Sequence, residues 1–262
     1  MNTNNLRKEI LVMIHQANSG HPGGSLGMVD IIAYLYSDFL NVDPKNPDDP
    51  KRDYLVLSNG HICPALYAVL AQKGFFDKKE LGTLRKLGSN LQGHPHRTAI
   101  KGIETTSGPL GSGLSQASGM ALGLKRDSKP NKVVVLTSDG EHQEGNHWEG
   151  VMFAAKYGLD NLIQIVDRNK IQIDGKTEEI MPLDSLKKKY VAFNWHVQEI
   201  NGHSTWQIKK ALKKAVKAKG KPCVIIAKTI PGRGVSFMEN NYEWHGKAPN
   251  KEELEKAFEE LK

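Results

Sequence analysis

An aspartate and an asparagine follow two successive apolar runs of the sequence, and their side chains carry the oxygen atoms that hard cations prefer. Asp139 and Gly140 come after the run 133–137, and Asn169 comes after the run 162–166. If these runs are neighbouring parallel strands, both side chains lie at the carboxyl edge of one sheet. A carboxylate, an amide oxygen and a nearby backbone carbonyl suit Mg²⁺ or Ca²⁺. Gly140 lets a phosphate approach the backbone at the start of the following helix.

Four of the ten histidines lie in glycine-rich segments, where side chains are positioned by loops: His21, His61, His94 and His245. The ordinary histidine pKa of about 6.5 lets one group accept and donate a proton near neutral pH. These four are therefore the candidates for proton transfer. We interpret the other six as solvated or hydrogen-bonded residues, and His96 is the one most easily confused with His94: His15, His96, His142, His147, His196 and His203.

The apolar pattern alternates between strand and helix periods along the chain. Short β-branched runs predict strands over 54–57, 133–137, 162–166, 197–200 and 224–229, each followed by a turn and then a helical pattern. This alternation predicts an α/β fold with a mostly parallel sheet flanked by helices. The first 40 residues predict two helices separated by a loop with the sequence SGHPGGSLG, and further helices are expected over 144–157 and in the tail KEELEKAFEELK.

Composition and charge indicate a globular protein and argue against nucleic-acid binding. The chain has 262 residues, of which 39% are hydrophobic and 25% charged, as in proteins that bury one ordinary core. Much of the net charge of +7 lies on lysines along a helix whose inner side is predicted to hold Ile208, Leu212 and Val216. Because no aromatic or glycine-rich platform accompanies these lysines, nucleic-acid binding is not expected.

Two further patterns in the sequence bear on where in the cell the protein is expected. No apolar run approaches the roughly 20 residues that span a bilayer, and the first residues lack the apolar core of a signal peptide. Cys63 and Cys223 lie far apart without metal-binding spacing, so both are expected to be buried and reduced. We therefore expect a cytoplasmic protein that does not contact membranes.

The spacing of the cation-binding residues, with 141–168 between Gly140 and Asn169, resembles the thiamine diphosphate motif Gly-Asp-Gly followed by Asn-Asn. Ser138 and Arg168 depart from that motif, but neither position supplies a metal ligand. Five further segments resemble the thiamine diphosphate-binding domain of transketolase, in order along the chain: NSGHPGG, LSNGH, GHP, TSGPLG and GRGVSFME before WHG. The resemblance runs from about Asn5 to Pro249 and implies one diphosphate-binding domain over residues 1–262.

The resemblance also implies roles for particular residues. The divalent metal would be held by Asp139, Asn169 and the backbone carbonyl of Ile171, while Gly140 and His61 would contact the diphosphate. Gly108 and Leu110 would line the aminopyrimidine, and Ile173 would pack beside the cofactor rings. The four histidines would surround the reactive carbon of the cofactor, bind the donor hydroxyls and relay protons. Glu144 and Glu149, which also suit a helix N-terminus, would lie at a dimer interface in a carboxylate cluster.

The implied reaction is reversible transfer of a two-carbon ketol unit from a ketose phosphate, such as xylulose 5-phosphate, to an aldose phosphate, as in the pentose phosphate pathway. Transketolases have further domains, which supply the glutamate that activates the cofactor and the basic residues that bind the sugar phosphate. We therefore expect this chain to be the N-terminal subunit of a gene-split transketolase. A separate C-terminal, pyrimidine-binding subunit would complete the site in a heterotetramer of two copies of each chain.

Two other interpretations stay open. One is a related thiamine-dependent enzyme, such as 1-deoxyxylulose 5-phosphate synthase or a split transketolase for a specialised sugar. The SGHPGG and LSNGH segments favour a transketolase over the synthase but leave the sugar undecided. The other is a non-catalytic protein, either a scaffold that retained the fold or a nucleotide-binding module. No GxGxxG follows a strand, which argues against the module, and the complete set of predicted ligands and histidines argues against the scaffold.

Overall fold

A parallel sheet of five strands forms the centre of the molecule. The computed structural model describes residues 1–262, with strands β1 (Tyr54–Leu57), β2 (Val133–Ser138), β3 (Leu162–Arg168), β4 (Ile171–Gln172), β5 (Gly175–Lys176), β6 (His196–Asn201) and β7 (Cys223–Lys228). The sheet order is β1-β2-β3-β7-β6 and every neighbouring pair is parallel, while β4 and β5 form a small antiparallel hairpin. The predicted fold class and all five predicted strands are confirmed.

Nine α-helices accompany the strands: α1 (Thr3–Ala17), α2 (Pro22–Tyr34), α3 (Cys63–Lys73), α4 (Gly113–Arg126), α5 (Gly145–Lys156), α6 (Thr177–Ile180), α7 (Leu186–Ala192), α8 (Thr205–Lys217) and α9 (Lys251–Glu260). They cover both faces of the sheet because successive strand residues point to opposite sides. Val134 and Leu136 pack with α1, α2, α3 and α8 in the larger core. Val133 and Val135 pack with α4, α5 and α7 in the smaller one.

The start of α2 corrects the prediction of a loop over SGHPGGSLG, because the helix begins at Pro22 inside that segment. Proline suits the first position of a helix, where no backbone donor is required. The glycines are needed for close packing between backbones. A Cβ on Gly23 would lie 3.1 Å from the Trp244 carbonyl oxygen, and one on Gly27 would lie 2.9 Å from the Ile230 carbonyl oxygen.

The lysine-rich helix α8 has the predicted polar outer face, but its inner face differs at one position. Ile208, Leu212 and Ala215 are buried, whereas Val216 is exposed. Each step of four residues advances about 40° beyond a full turn of 3.6 residues, so Val216 lies at the rim of the buried stripe. The tail forms α9 as predicted and packs against α1.

Neither cysteine forms a disulfide, and both are buried, as predicted. None of the helices combines the length and apolar character that crossing a bilayer requires.

Candidate functional site

The carboxyl ends of β1, β2 and β3 meet at one edge of the sheet, and the predicted site residues lie just beyond them. Leu57 is opposite Leu136, and Ser138 is opposite Asp167, so these strands end at nearly the same level. The segments that follow them carry His61, Asp139 and Asn169 respectively. This shared edge is where an open α/β sheet binds its ligands.

Asp139 is completely buried at the end of β2. Its Oδ1 accepts a hydrogen bond from the Gly140 amide at 2.8 Å. Its Oδ2 accepts hydrogen bonds from the Lys170 amide at 2.6 Å and from Arg168 Nη1 at 3.0 Å. Burial raises the pKa of Asp139 to about 6, against the opposing effect of the Arg168 guanidinium. The carboxylate is therefore held rigidly beside the backbone of residues 168–171.

Asn169 faces the same edge, oriented by its neighbours on both sides. Its Nδ2 donates to Asp167 Oδ2 at 2.9 Å, and its Oδ1 accepts from the Ile171 amide at 3.0 Å. Because the Lys170 amide bonds to Asp139, residues 169 and 171 are drawn toward that carboxylate. The structure thus brings together the three residues predicted to hold the metal.

The donor set fits a hard divalent cation. Asp139 Oδ1 accepts only one hydrogen bond, so it keeps a lone pair for a ligand, and the Asn169 amide and the Ile171 carbonyl add neutral oxygens. Mg²⁺ is commonly bound through one or two carboxylates together with phosphate oxygens and water, and this edge offers one such carboxylate.

Two loops predicted to contact the cofactor touch each other directly. A Cβ on Gly60 would lie 2.4 Å from Ser107 Oγ and 3.1 Å from the Gly108 amide nitrogen, so only glycine allows this approach. His61 follows Gly60, and Leu110 lies two residues after Gly108. The buried side-chain polar atoms of Asn59 and the hydroxyl of Ser107 have no partner in the protein. Unpaired buried polar atoms at a loop junction fit a site that a polar ligand completes.

Three of the four predicted histidines form one cluster. The ring centroids of His21 and His61 are 5.1 Å apart, those of His61 and His245 are 5.1 Å apart, and those of His21 and His245 are 5.4 Å apart. His94 lies on the adjacent loop, where a Cβ on Gly108 would be 3.6 Å from its ring. The structure therefore brings residues from four distant segments together, and a Cβ on Gly24 would lie 4.0 Å from His61 Nε2 and 3.9 Å from Asp167 Oδ2 at the end of β3.

These histidines are kept uncharged at neutral pH. Burial, with added repulsion from His245, Arg85 and His94, lowers the pKa of His21 to about 4. Burial likewise places the pKa of His61 well below its ordinary range and lowers the pKa of His245. The pKa of His94 is also lowered, by burial and by Arg85. Neutral rings can accept a proton or share a hydrogen bond with a hydroxyl.

The remaining histidines have structural partners or lie away from the cluster, as predicted. His15 donates to the Pro249 carbonyl, His203 contacts Asp30 and the Ile230 amide, and His96 lies beside Thr98. His142 and His147 both contact the Tyr190 hydroxyl inside the protein at 2.8 Å. His196 lies on the edge strand β6.

Three other predicted residues lie on the surface of this chain. Glu144 precedes the first residue of α5 and Glu149 lies within it, and both are exposed. Ile173, in the turn between β4 and β5, is 65% exposed.

Three charged residues at the site were missed in the sequence. Arg168 joins Asp139 to Glu178, and its only signal was that it replaces an asparagine of the motif. Arg85 donates to Ser19 Oγ at 2.7 Å and to the Gly93 carbonyl at 3.3 Å, which ties the loop of His21 to that of His94. Glu141 is buried one residue after Gly140. The contacts that join separate segments, Arg85 to Ser19, Glu141 to Ser58 and Arg168 to Asp139, are distant along the chain and could not be read from local sequence.

A parallel sheet with an oxygen-rich edge, loops that approach through glycine and a cluster of neutral histidines define an α/β protein whose sheet edge can bind an anionic ligand through a divalent cation. A comparison with known families matches residues 2–261 to the thiamine diphosphate-binding domain of transketolase. The chain belongs to this family, whose cofactor is thiamine diphosphate with a divalent metal.

Two relatives of similar length are named as subunits of larger enzymes. The chain is 45% identical to the 6-deoxy-6-sulfo-D-fructose transketolase subunit of a Clostridium species, with 98% of this chain and 94% of the relative covered. It is 40% identical to one subunit of the apulose-4-phosphate transketolase of Phocaeicola vulgatus, with 97% of this chain and 90% of the relative covered.

Longer relatives share the same domain. Human transketolase is 38% identical over 98% of this chain, which spans 41% of that enzyme. The crystal structure of transketolase from Campylobacter jejuni superposes with a TM-score of 0.93 at 36% identity, over 99% of this chain and 42% of that one. This chain therefore corresponds to about two fifths of a full-length transketolase.

Proposed function

We propose that this chain is the N-terminal, cofactor-binding subunit of a two-subunit transketolase, and that residues 1–262 form its single diphosphate-binding domain. The reaction is transfer of a two-carbon ketol unit from a ketose phosphate to an aldose phosphate. The observation that carries the proposal is the cluster of His21, His61 and His245, with ring centroids 5.1 to 5.4 Å apart, beside the edge that holds Asp139.

The residues at the strand ends would hold the cofactor through its diphosphate and metal. Asp139, Asn169 and the Ile171 carbonyl bind the cation, Gly140 and His61 bind the diphosphate, and Gly108, Leu110 and Ile173 line the rings. When bound, thiamine diphosphate supplies the electron sink that allows the carbon–carbon bond beside a ketose carbonyl to break. The exposed Ile173 side chain gains a partner in this arrangement.

The histidines would transfer protons to and from the sugar substrates. Cleavage of the donor requires a base for the hydroxyl proton next to the breaking bond, and addition to the acceptor aldehyde requires an acid for the new alkoxide. A neutral histidine serves the first step and its protonated form serves the second. His21, His61, His94 and His245 are placed to share this work and to orient the donor hydroxyls through hydrogen bonds.

The partner subunit would complete the pyrimidine side of the cofactor site. The similarity to two relatives that are named as subunits and have nearly the same length supports a split enzyme. An apolar stripe along α5 and the residue after it supports assembly: Met152 is 51% exposed, and Phe153 and Tyr157 are each 37% exposed. We propose that α5 joins two copies of this chain near Glu144 and Glu149, which gives a heterotetramer with two copies of each subunit.

A specialised sugar is the second candidate for the donor. Identity to the sulfofructose and apulose-phosphate relatives, at 45% and 40%, exceeds the 38% identity to human transketolase. The reconstituted pair should therefore be assayed with xylulose 5-phosphate, fructose 6-phosphate, 6-deoxy-6-sulfofructose and apulose 4-phosphate. Comparison of the kcat/KM values for these donors identifies the preferred substrate.

The experiment that tests the proposal is titration calorimetry of thiamine diphosphate with Mg²⁺, using wild type and Asp139→Ala, with and without the C-terminal subunit. We expect tight, metal-dependent binding with both subunits, loss of binding in Asp139→Ala and loss after addition of EDTA. Absence of metal-dependent binding, with a partner shown to associate, would contradict an enzymatic role and favour a scaffold that retained the fold.

A further inference from the structure

Glu141 is a completely buried carboxylate at the centre of the loops that surround the cofactor site. Its Oε1 accepts hydrogen bonds from the Ser58 hydroxyl and from the Gly111 amide, the latter at 2.8 Å. Its Oε2 accepts from the Ser138 amide at 3.2 Å. No Lys, Arg or His forms an ion pair with it. Three donors from three segments of the chain thus converge on one unpaired carboxylate.

Each donor belongs to a segment that carries a predicted cofactor contact. Ser58 begins the loop that leads to His61, and Gly111 ends the loop that contains Gly108 and Leu110. Ser138 is the last residue of β2, directly before Asp139. The Ser58 hydroxyl also accepts from the Gly113 amide at 3.1 Å, which ties the first residue of α4 to the same centre.

The chemistry of the donors explains why a carboxylate is required here. An apolar side chain here would leave the Ser58 hydroxyl and the Gly111 and Ser138 amides buried without an acceptor, which is costly. Backbone amides and a hydroxyl approach the group from both sides, and only a carboxylate accepts hydrogen bonds on both of its oxygens. A glutamine of the same shape presents an amide group to one of those donors, which leaves two donors facing each other.

We propose that Glu141 is a positioning residue for thiamine diphosphate, which fixes the His61 loop, the Gly108–Gly111 loop and the Asp139 turn relative to one another before the cofactor binds. This inference rests on the proposed cofactor site. Removing an acceptor frees loops that must then be ordered by the cofactor itself, so affinity for the cofactor falls while chemistry at saturating cofactor is kept.

Glu141→Gln tests the proposal, and Asp53→Asn is its matched control. Asp53 is also a buried carboxylate that accepts two backbone amides, from Asn41 and Lys132, but it lies at the opposite edge of the sheet and, unlike Glu141, forms an ion pair with the Lys132 ammonium. The dissociation constant for thiamine diphosphate with saturating Mg²⁺ is measured on this chain with its partner subunit, at a temperature where all variants are folded. Hydrogen exchange of residues 58–61 and 107–113 is followed on the same samples.

We expect Glu141→Gln to weaken cofactor binding by about 10- to 100-fold. Its kcat at saturating cofactor stays within a factor of a few, and exchange of the two loops rises. Asp53→Asn keeps the wild-type dissociation constant even if its melting temperature falls. Ser58→Ala removes only one donor and should weaken cofactor binding by a smaller factor. If Glu141→Gln does not fold, the dissociation constant of Ser58→Ala tests the proposal instead.

Two results would overturn this picture in different ways. If wild type binds the cofactor and both Glu141→Gln and Ser58→Ala bind equally well with unchanged exchange, Glu141 does not position the site. If wild type with its partner does not bind thiamine diphosphate and Mg²⁺, the proposed function itself fails, and the inference about Glu141 fails with it.

Discussion

Arg168 and Asp139 form a buried ion pair in which Nη1 lies 3.0 Å from Oδ2. The same guanidinium donates to Glu178 at 2.6 Å and to the Thr177 hydroxyl at 2.9 Å, so it connects the predicted metal ligand to the segment that follows β5. A cation beside a metal ligand keeps the carboxylate ionised and oriented. Arg168, which departs from the motif, therefore helps to orient the predicted metal ligand Asp139.

The first prediction concerns the stability that this pair provides. Arg168→Met leaves Asp139 buried without a cation and is expected to lower the free energy of unfolding by about 3 kcal/mol. Arg233→Met is the control, because the Arg233–Glu239 pair is much more open to solvent and is expected to matter by less than about 1 kcal/mol. Urea denaturation measures both. Equal effects of the two substitutions would contradict a special role for Arg168.

The second prediction concerns the approach between α4 and the His61 loop. A Cβ on Gly113 would lie 2.3 Å from Ser58 Oγ and 2.8 Å from the Ser58 Cα, so Gly113→Ala must displace that loop. We expect a lower melting temperature and weaker cofactor binding. Gly119→Ala, on the same helix with open space around it, should instead stabilise the protein by about 1 kcal/mol. Thermal unfolding of both variants checks this, and a neutral Gly113→Ala would show that the loops are loosely packed.

The third prediction concerns the pH dependence of stability and the buried histidine His142, which precedes α5. His142 Nδ1 donates to the Ser138 carbonyl, and burial lowers the pKa of this histidine to about 4. Because the unfolded chain has a histidine pKa of about 6.5, it binds more protons than the folded chain between these values. The neutral His142 ring therefore makes its full contribution to the free energy of unfolding above about pH 6.5, and this contribution is lost as the pH falls toward 4.

Unfolding of wild type and His142→Asn at a series of pH values isolates this effect from the other groups that titrate. Between pH 6 and 4, wild type should lose up to about 1.4 kcal/mol per pH unit more than His142→Asn. Parallel stability profiles for the two proteins would mean that His142 titrates normally in the folded state.

The fourth prediction concerns assembly through α5. Phe153→Asp places a charge in the apolar stripe and is expected to reduce the mass of the reconstituted complex, measured by light scattering, to that of a smaller assembly. Trp206→Asp changes an apolar residue on α8 that is 66% exposed, and it should leave the mass unchanged. A full-size complex formed by Phe153→Asp would contradict the proposed contact between copies.

The sheet was predictable because its strands are buried on both faces and therefore appear as continuous β-branched runs, such as residues 133–137. The placement of Asp139 and Asn169 at one edge was predictable because each follows one of two successive parallel strands. Pro22 and the glycines after it were mistaken for a loop, because a glycine that makes room for another backbone looks the same in sequence as one that makes a turn. The roles of Glu141, Arg168 and Arg85 depend on long-range partners, which no local pattern reveals.

The close approach between the glycines of α2 and the segment 230–245 has a consequence for synthesis of the protein. The Gly23 carbonyl accepts a hydrogen bond from the Gly232 amide at 2.8 Å, and the cluster joins His21 to His245. A nascent chain emerging from the ribosome exposes the first two helices long before these partners exist. The contact of α2 with the segment 230–245 and the closure of the histidine cluster therefore form only after most of the chain has been synthesised, whereas α2 can pack against α1 and α3 earlier.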